Sequence, residues 1–343
     1  MPPARVISTV STAFLVAIVA GAAQLGAGYA LGAFSWLPTV TRTDDSAWLA
    51  TLAWTVFICA SSVVIGAVVG NRTLSDVSHT VGQSLGRAIW RGTIALAAGL
   101  GGIVVAVLAA APARAAQRAD IFAPRIVASY AVAGVLVGLV MALIAVNSMA
   151  VGFNVIVTTA WLWVLAAVAA ADAYAAGRQA GPVQLGLWQM TPNGPWYHGV
   201  YLPGAVLGGL TAFFIGVATA GPAARLGANR FWTMLSGAAG PLLAVAGYAL
   251  AAPTLRGVNH ELLPAHRVVP VAVAAGLLGS LPVGLLATVR RRILPLPAPR
   301  AGTDAGTSTG TSTPAPAAPA AEADDDKTST VTAAEAKVAG DAV

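Results

Sequence analysis

The chain has 343 residues, of which 57% are hydrophobic and only 9% charged, and its mean hydropathy is +0.75. A soluble domain carries about 25% charged residues, so this composition excludes a water-facing globular architecture and makes lipid the main solvent. The formal charge of +6 is divided: residues 1–300 hold 17 Arg and 6 acidic residues (net +11), residues 301–343 hold 2 Lys and 7 acidic residues (net −5), a pattern of arginine-rich loops at lipid headgroups rather than a nucleic-acid surface.

Apolar runs between polar clusters predict eight transmembrane helices: Thr12–Leu37, Ala47–Gly70, Ala88–Ala111, Ile126–Val146, Asn154–Ala175, Val200–Ala220, Phe231–Ala251 and Val268–Val289. A helix of about 20 residues crosses the hydrocarbon core with every backbone group satisfied internally. The expected fold is therefore all-α, a polytopic helical bundle over residues 1–295. At the N-terminus, Arg5 followed by an apolar run resembles a signal peptide. That run continues through Gly32 and Phe34, past the roughly 7–15 residues of such a segment, so the first helix is read as retained. Residues 126–175 are nearly continuous in their hydrophobicity. A tight hairpin is required there, with Asn147-Ser148-Met149 and Gly152-Phe153-Asn154 as the two interruptions.

An even number of spans puts both termini on one side. The Arg290-Arg291-Arg292 cluster assigns that side to the cytoplasm of a plasma membrane. Glycine pairs at four-residue spacing (Gly28/Gly32, Gly66/Gly70, Gly134/Gly138, Gly204/Gly208) are read as a set that brings helix backbones together. Pro203, Pro241 and Pro282 fall inside spans and predict kinks. The preference for Ala, Gly and Arg over Ile and Lys fits a high-GC bacterial genome.

Chemistry-bearing residues are sparse. Leu74, Val77, Val81, Leu85 and Ile89 recur at helical spacing before the third span, an amphipathic surface for the membrane or for a protein partner. Asp172 is the sole acid placed within a span, near its outer end. It joins His198, His260, Glu261 and His266 as a candidate outer-face polar cluster. His260 and His266 are six residues apart with Pro264 between, which defeats the two-histidine zinc pattern on one helix face; no metal site is expected. From Gly181 to Pro203, the alternation of Val183, Leu185 and Leu187 precedes Thr191-Pro192-Asn193-Gly194, then Trp196, Tyr197, Val200 and Tyr201. Two β-prone runs about a Pro-Asn-Gly turn predict a hairpin.

Cys59, the single cysteine, lies in an apolar run and reads as an inert thiol. No phosphate-binding Gly-x-x-x-x-Gly-Lys-Ser/Thr loop is present. Ser236, beside Gly237 in the seventh span, reads as a packing serine. No cofactor is expected and no catalytic residue is assigned. Residues 296–343, rich in Ala, Pro and Thr and acidic at the end, read as a disordered cytoplasmic tail. The favoured role is a partner-binding or envelope-associated membrane component without catalysis, its partner held by the amphipathic segment or the tail. The alternatives are a transporter or permease subunit for a small neutral or apolar substrate, and an intramembrane or outer-face enzyme. The bilayer is the one partner composition assigns; oligomeric state is not encoded.

Overall fold

The computed structural model describes residues 3–34, 46–72, 84–115, 122–177, 183–188, 190, 194–197, 200–252 and 263–293. The helices are α1 (Pro3–Ala30), α2 (Ser46–Arg72), α3 (Ser84–Ala110), α4 (Ala123–Ala145), α5 (Met149–Ala175), α6 (Leu202–Arg225), α7 (Arg230–Leu235), α8 (Ala239–Ala251) and α9 (Leu263–Ile293). Eight segments are long and apolar enough to cross a membrane, with α7 and α8 sharing the seventh. The protein is a multi-pass membrane protein.

The spans form two groups. α1 to α4 pack on one another, α6 packs chiefly on α9, and α2 joins the groups through α8 and α5. α2 is enclosed on every side: Trp54, Phe57, Ile58 and Val63 have no exposed surface. Around the outside, Leu15, Val19, Leu100, Val140, Phe214 and Leu286 are exposed, as lipid-facing side chains are. Lipid tails are as apolar as the helices, so close van der Waals packing at small residues has to hold them together. Gly66 and Gly70 of α2 meet Ala13 of α1, and Gly134 and Gly138 of α4 meet the Val56 and Ala60 carbonyls of α2. A Cβ at any of the four would come within 2.5–2.6 Å of those neighbours. The other two pairs act differently. Gly204 leaves room for the Leu187 side chain, Gly208 has only ordinary contact, and Gly28 lies under Phe34.

Several boundaries depart from the sequence reading, among them the start of the first helix, at Pro3 rather than Thr12. The first helix ends near Ala30, not Leu37, because Gly32 takes a φ of +68°. Its flanking amides close a Schellman motif, Ala33 N to Gly28 O at 2.8 Å and Gly32 N to Tyr29 O at 3.2 Å. The α4–α5 turn falls at Asn147-Ser148, as one of the two interruptions requires. There the Ser148 hydroxyl accepts from Val151 N–H at 3.4 Å, Arg91 donates to Asn147 Oδ1 at 2.7 Å, and Asn71 donates to the Val146 carbonyl at 3.2 Å. Gly152-Phe153-Asn154 is not an interruption; it continues α5. Pro203 makes no kink, for it occupies the first turn of α6, where a missing N–H costs nothing.

The predicted hairpin is also corrected. β1 (Trp196–Tyr197) pairs antiparallel with β2 (Val200–Tyr201), Trp196 opposite Tyr201, so both paired runs follow the expected Pro-Asn-Gly turn, of which Pro192 and Asn193 lie outside the described residues. Residues 183–188 form no strand. We call the end of the bundle that carries β1 and β2 the hairpin face.

Candidate functional site

The polar residues proposed from the sequence fall mostly outside the described residues. His198, His260 and Glu261 do so, and of His266 the structure gives only its backbone position in the first turn of α9. Asp172 is half-buried in the last turn of α5. Among the described residues, no three His, Cys, Asp or Glu side chains come together. Leu74, Val77 and Val81 also lie outside the described residues; Leu85 and Ile89 belong to the first turns of α3, Ile89 exposed.

The interior instead carries neutral polar groups, and these organise its most distinctive region. Residues 183–188 turn back into the bundle from the hairpin face. Val183, Leu185 and Leu187 are buried, which explains their alternation without a strand. Backbone placed among apolar helices needs partners, and two aromatic side chains supply them: Trp54 Nε1 donates to the Val183 carbonyl at 2.7 Å, and Tyr248 Oη donates to the Leu185 carbonyl at 2.8 Å. Gly186 has a φ of +76°, which allows the reversal. Trp54 also packs on Trp163, ring centroids 4.8 Å apart. Trp163 Nε1 donates to Gln24 Oε1 at 3.0 Å, and the Ser61 hydroxyl donates to the same oxygen at 3.1 Å. One carboxamide thus ties α1, α2 and α5 together.

The second constellation surrounds a break in the seventh span. Between α7 and α8 the chain runs through a single 3₁₀ turn, Ser236–Ala238. Pro241 has no N–H to give to Gly237, so the α-helical ladder loses a bond at this point. Two amides released by the break find side-chain acceptors on other helices. Gly237 N–H donates to Ser280 Oγ of α9 at 3.2 Å, and Gly240 N–H donates to Asn154 Oδ1 of α5 at 2.8 Å. The Ser280 hydroxyl in turn donates to the Met234 carbonyl at 2.5 Å, and Asn154 Nδ2 donates to Thr219 Oγ1 at 3.4 Å. Ser236 donates to the Thr233 carbonyl at 2.8 Å, the packing role read from the sequence. Among the described residues, no charged side chain is buried.

Between these constellations lies a cavity of about 40 Å³. Its walls come from α5 (Thr158, Trp161, Leu162), α6 (Gly208 to Ile215), α8 (Pro241, Ala244) and α9 (Val268 to Ala272), and Gly186 of the re-entrant segment completes them. The lining is mainly hydrocarbon, its polar side-chain groups being the hydroxyls of Thr158 and Thr211 and the indole N–H of Trp161. Thr211 spends its hydroxyl on the Leu207 and Gly208 carbonyls of its own helix. Thr158 Oγ1 has no hydrogen-bond partner and lies against Gly240. A site of this kind offers shape and apolar contact, with no general acid, nucleophile or fixed charge. No family, no curated protein and no solved structure matches this chain.

Proposed function

We propose that the protein is a carrier or permease subunit for a small neutral or apolar ligand, and that it acts without covalent chemistry. The observation that carries this reading is the coincidence of one cavity with a broken span on one side and a re-entrant segment on another. Interrupted helices and non-helical backbone at membrane depth are tolerated where they line a cavity, and carriers build their sites from them. The interior without buried charge fits a neutral ligand better than an ion or a proton. On this reading the hairpin face is extracytoplasmic, both termini are cytoplasmic, and residues 183–188 are the element that moves. A partner-binding role would rest on residues 74–89 and 301–343, which on the carrier reading are dispensable for movement of the ligand.

The test is reconstitution of the full chain into phosphatidylcholine vesicles. Two movements are followed, efflux of trapped glycerol and transbilayer exchange of a fluorescent phosphatidylcholine. At least one should exceed protein-free vesicles. The double variant Trp54→Phe, Tyr248→Phe keeps both rings but removes the two donors that hold the re-entrant segment, and it should change that rate several-fold. Vesicles in which neither movement responds to the protein would sink the proposal.

A further inference from the structure

We infer that the cavity takes a single hydrocarbon chain of a bilayer lipid, admitted sideways through the seam between α5 and α6. The inference rests on the carrier reading for its meaning, but its geometry stands separately. Towards the hairpin face the cavity meets Gly186, whose neighbours Leu185 and Leu187 are buried and whose segment is pinned by Trp54 and Tyr248. Towards the other face, α6, the broken span and α9 meet glycine on glycine. A Cβ on Gly216 would lie 2.5 Å from the Gly276 carbonyl oxygen, and one on Gly237 1.9 Å from it. Asn154 joins α5 to α8 and α6 just beyond Thr158. Both ends are therefore shut to water.

The side is different. Trp161 of α5 and Gly208, Thr211 and Ile215 of α6 line the cavity yet are only half-buried. Val157, Val164, Leu210 and Phe214 beside them on the same two helices are exposed. The mouth is thus continuous with the surface that faces lipid, and what stands at that mouth in a membrane is acyl chain. The lining is predominantly apolar: Thr211 is satisfied within its own helix, and the Thr158 hydroxyl, though without a partner, is turned to Gly240. Size narrows the choice further. About 40 Å³ exceeds the ~10–15 Å³ that one water needs and falls well below the ~150 Å³ that admits benzene. A slender chain end fits; a ring or a headgroup does not.

The experiment uses the full chain in vesicles containing phosphatidylcholine with a photoreactive diazirine near the acyl terminus. After irradiation, labelled residues are mapped by peptide mass spectrometry. Ala244 and Val269 are the informative positions, because both are buried and line the cavity; Val63 and Ile94, buried elsewhere, are the controls. Label on Ala244 or Val269 at least tenfold above the controls is expected. It should fall to control level in Gly208→Leu, whose Cβ makes only an ordinary 3.8 Å contact with Val268 and whose branch would fill the cavity. Gly208→Ala, which leaves the space open, should keep the label and guards against a folding artefact. Control-level label in the parent protein, or label undiminished by Gly208→Leu while Gly208→Ala folds normally, overturns the inference. Should label be absent while glycerol efflux is protein-dependent and blocked by Gly208→Leu, the chain inference falls and the carrier reading stands. Label without any movement of lipid or glycerol has the opposite meaning: the chain is bound and the carrier reading fails.

Discussion

Asn154 holds the second group of helices at two points, and its amide does what a continuous helix would have done for itself. Removing it in Asn154→Ala strips the Gly240 amide of its acceptor and leaves Thr219 without a donor. An unsatisfied buried amide costs about 1–3 kcal/mol, so detergent-solubilised variant protein should melt several degrees lower than the parent. Thr158→Val, one turn along the same helix, is the contrast. The Thr158 hydroxyl already lacks a partner, so replacing it by a methyl of the same shape should leave the melting temperature unchanged or raise it. The sequence displayed both residues but gave no means of ranking them. Asn154 reads locally as the polar edge of an interruption, whereas its partners lie 65 and 86 residues away. Gln24 was visible in the same limited sense, as a polar residue in the first span. Its use as a shared acceptor for Ser61 and Trp163 depends on three helices meeting.

The broken seventh span shows how a helix in lipid can be interrupted without stranding its backbone. Pro241 takes a bond from the ladder, Ser280 and Asn154 take the released amides, and the Gly237–Gly276 contact lets α9 come close enough to do so. That closeness is testable. Gly237→Ala would put a methyl carbon on the Gly276 carbonyl, and neither backbone can retreat without breaking the Ser280 bonds. The variant should fail to yield monodisperse protein on size exclusion, whereas Gly208→Ala on α6 should behave as the parent does. Glycine spacing in the sequence marked close-packing faces on α2 and α4, without naming their partners, because those contacts repeat along straight helices. It missed Gly216, Gly237 and Gly276, which meet at a crossing point and so share no interval. Proline was ambiguous for a related reason: the same residue starts α6 at position 203, follows the break in a span at position 241, and lies inside unbroken helices at positions 222 and 282. The run at 183–188 was misread because alternating burial, the mark of a strand, is equally produced by a turn threaded between helices.

The eight spans themselves were legible because each satisfies its own backbone and faces a uniform solvent, so its signature is contained within about 20 neighbouring residues. Which spans pair, and where a cavity remains, depend on packing between distant segments and left no such mark. Sidedness can be read directly. In a Cys59→Ser background, thiols introduced by Pro2→Cys and Arg300→Cys should react with an impermeant maleimide only from the cytoplasmic side, and one introduced by Trp196→Cys only from the other. Reaction of the first two from opposite sides would contradict an even number of crossings. The enclosure of α2 has a consequence for how the protein is made. This span leaves the ribosome second, yet the chain that covers Trp54 follows much later, the Val183 carbonyl being 129 residues downstream. Until that later chain is made, the Trp54 side of the finished core is therefore a lipid-facing surface. Nascent chains arrested after α4 should display Trp54 to lipid-borne quenchers, and chains arrested beyond α8 should hide it. The newborn second helix is a membrane guest first and becomes a core only when the later helices close around it.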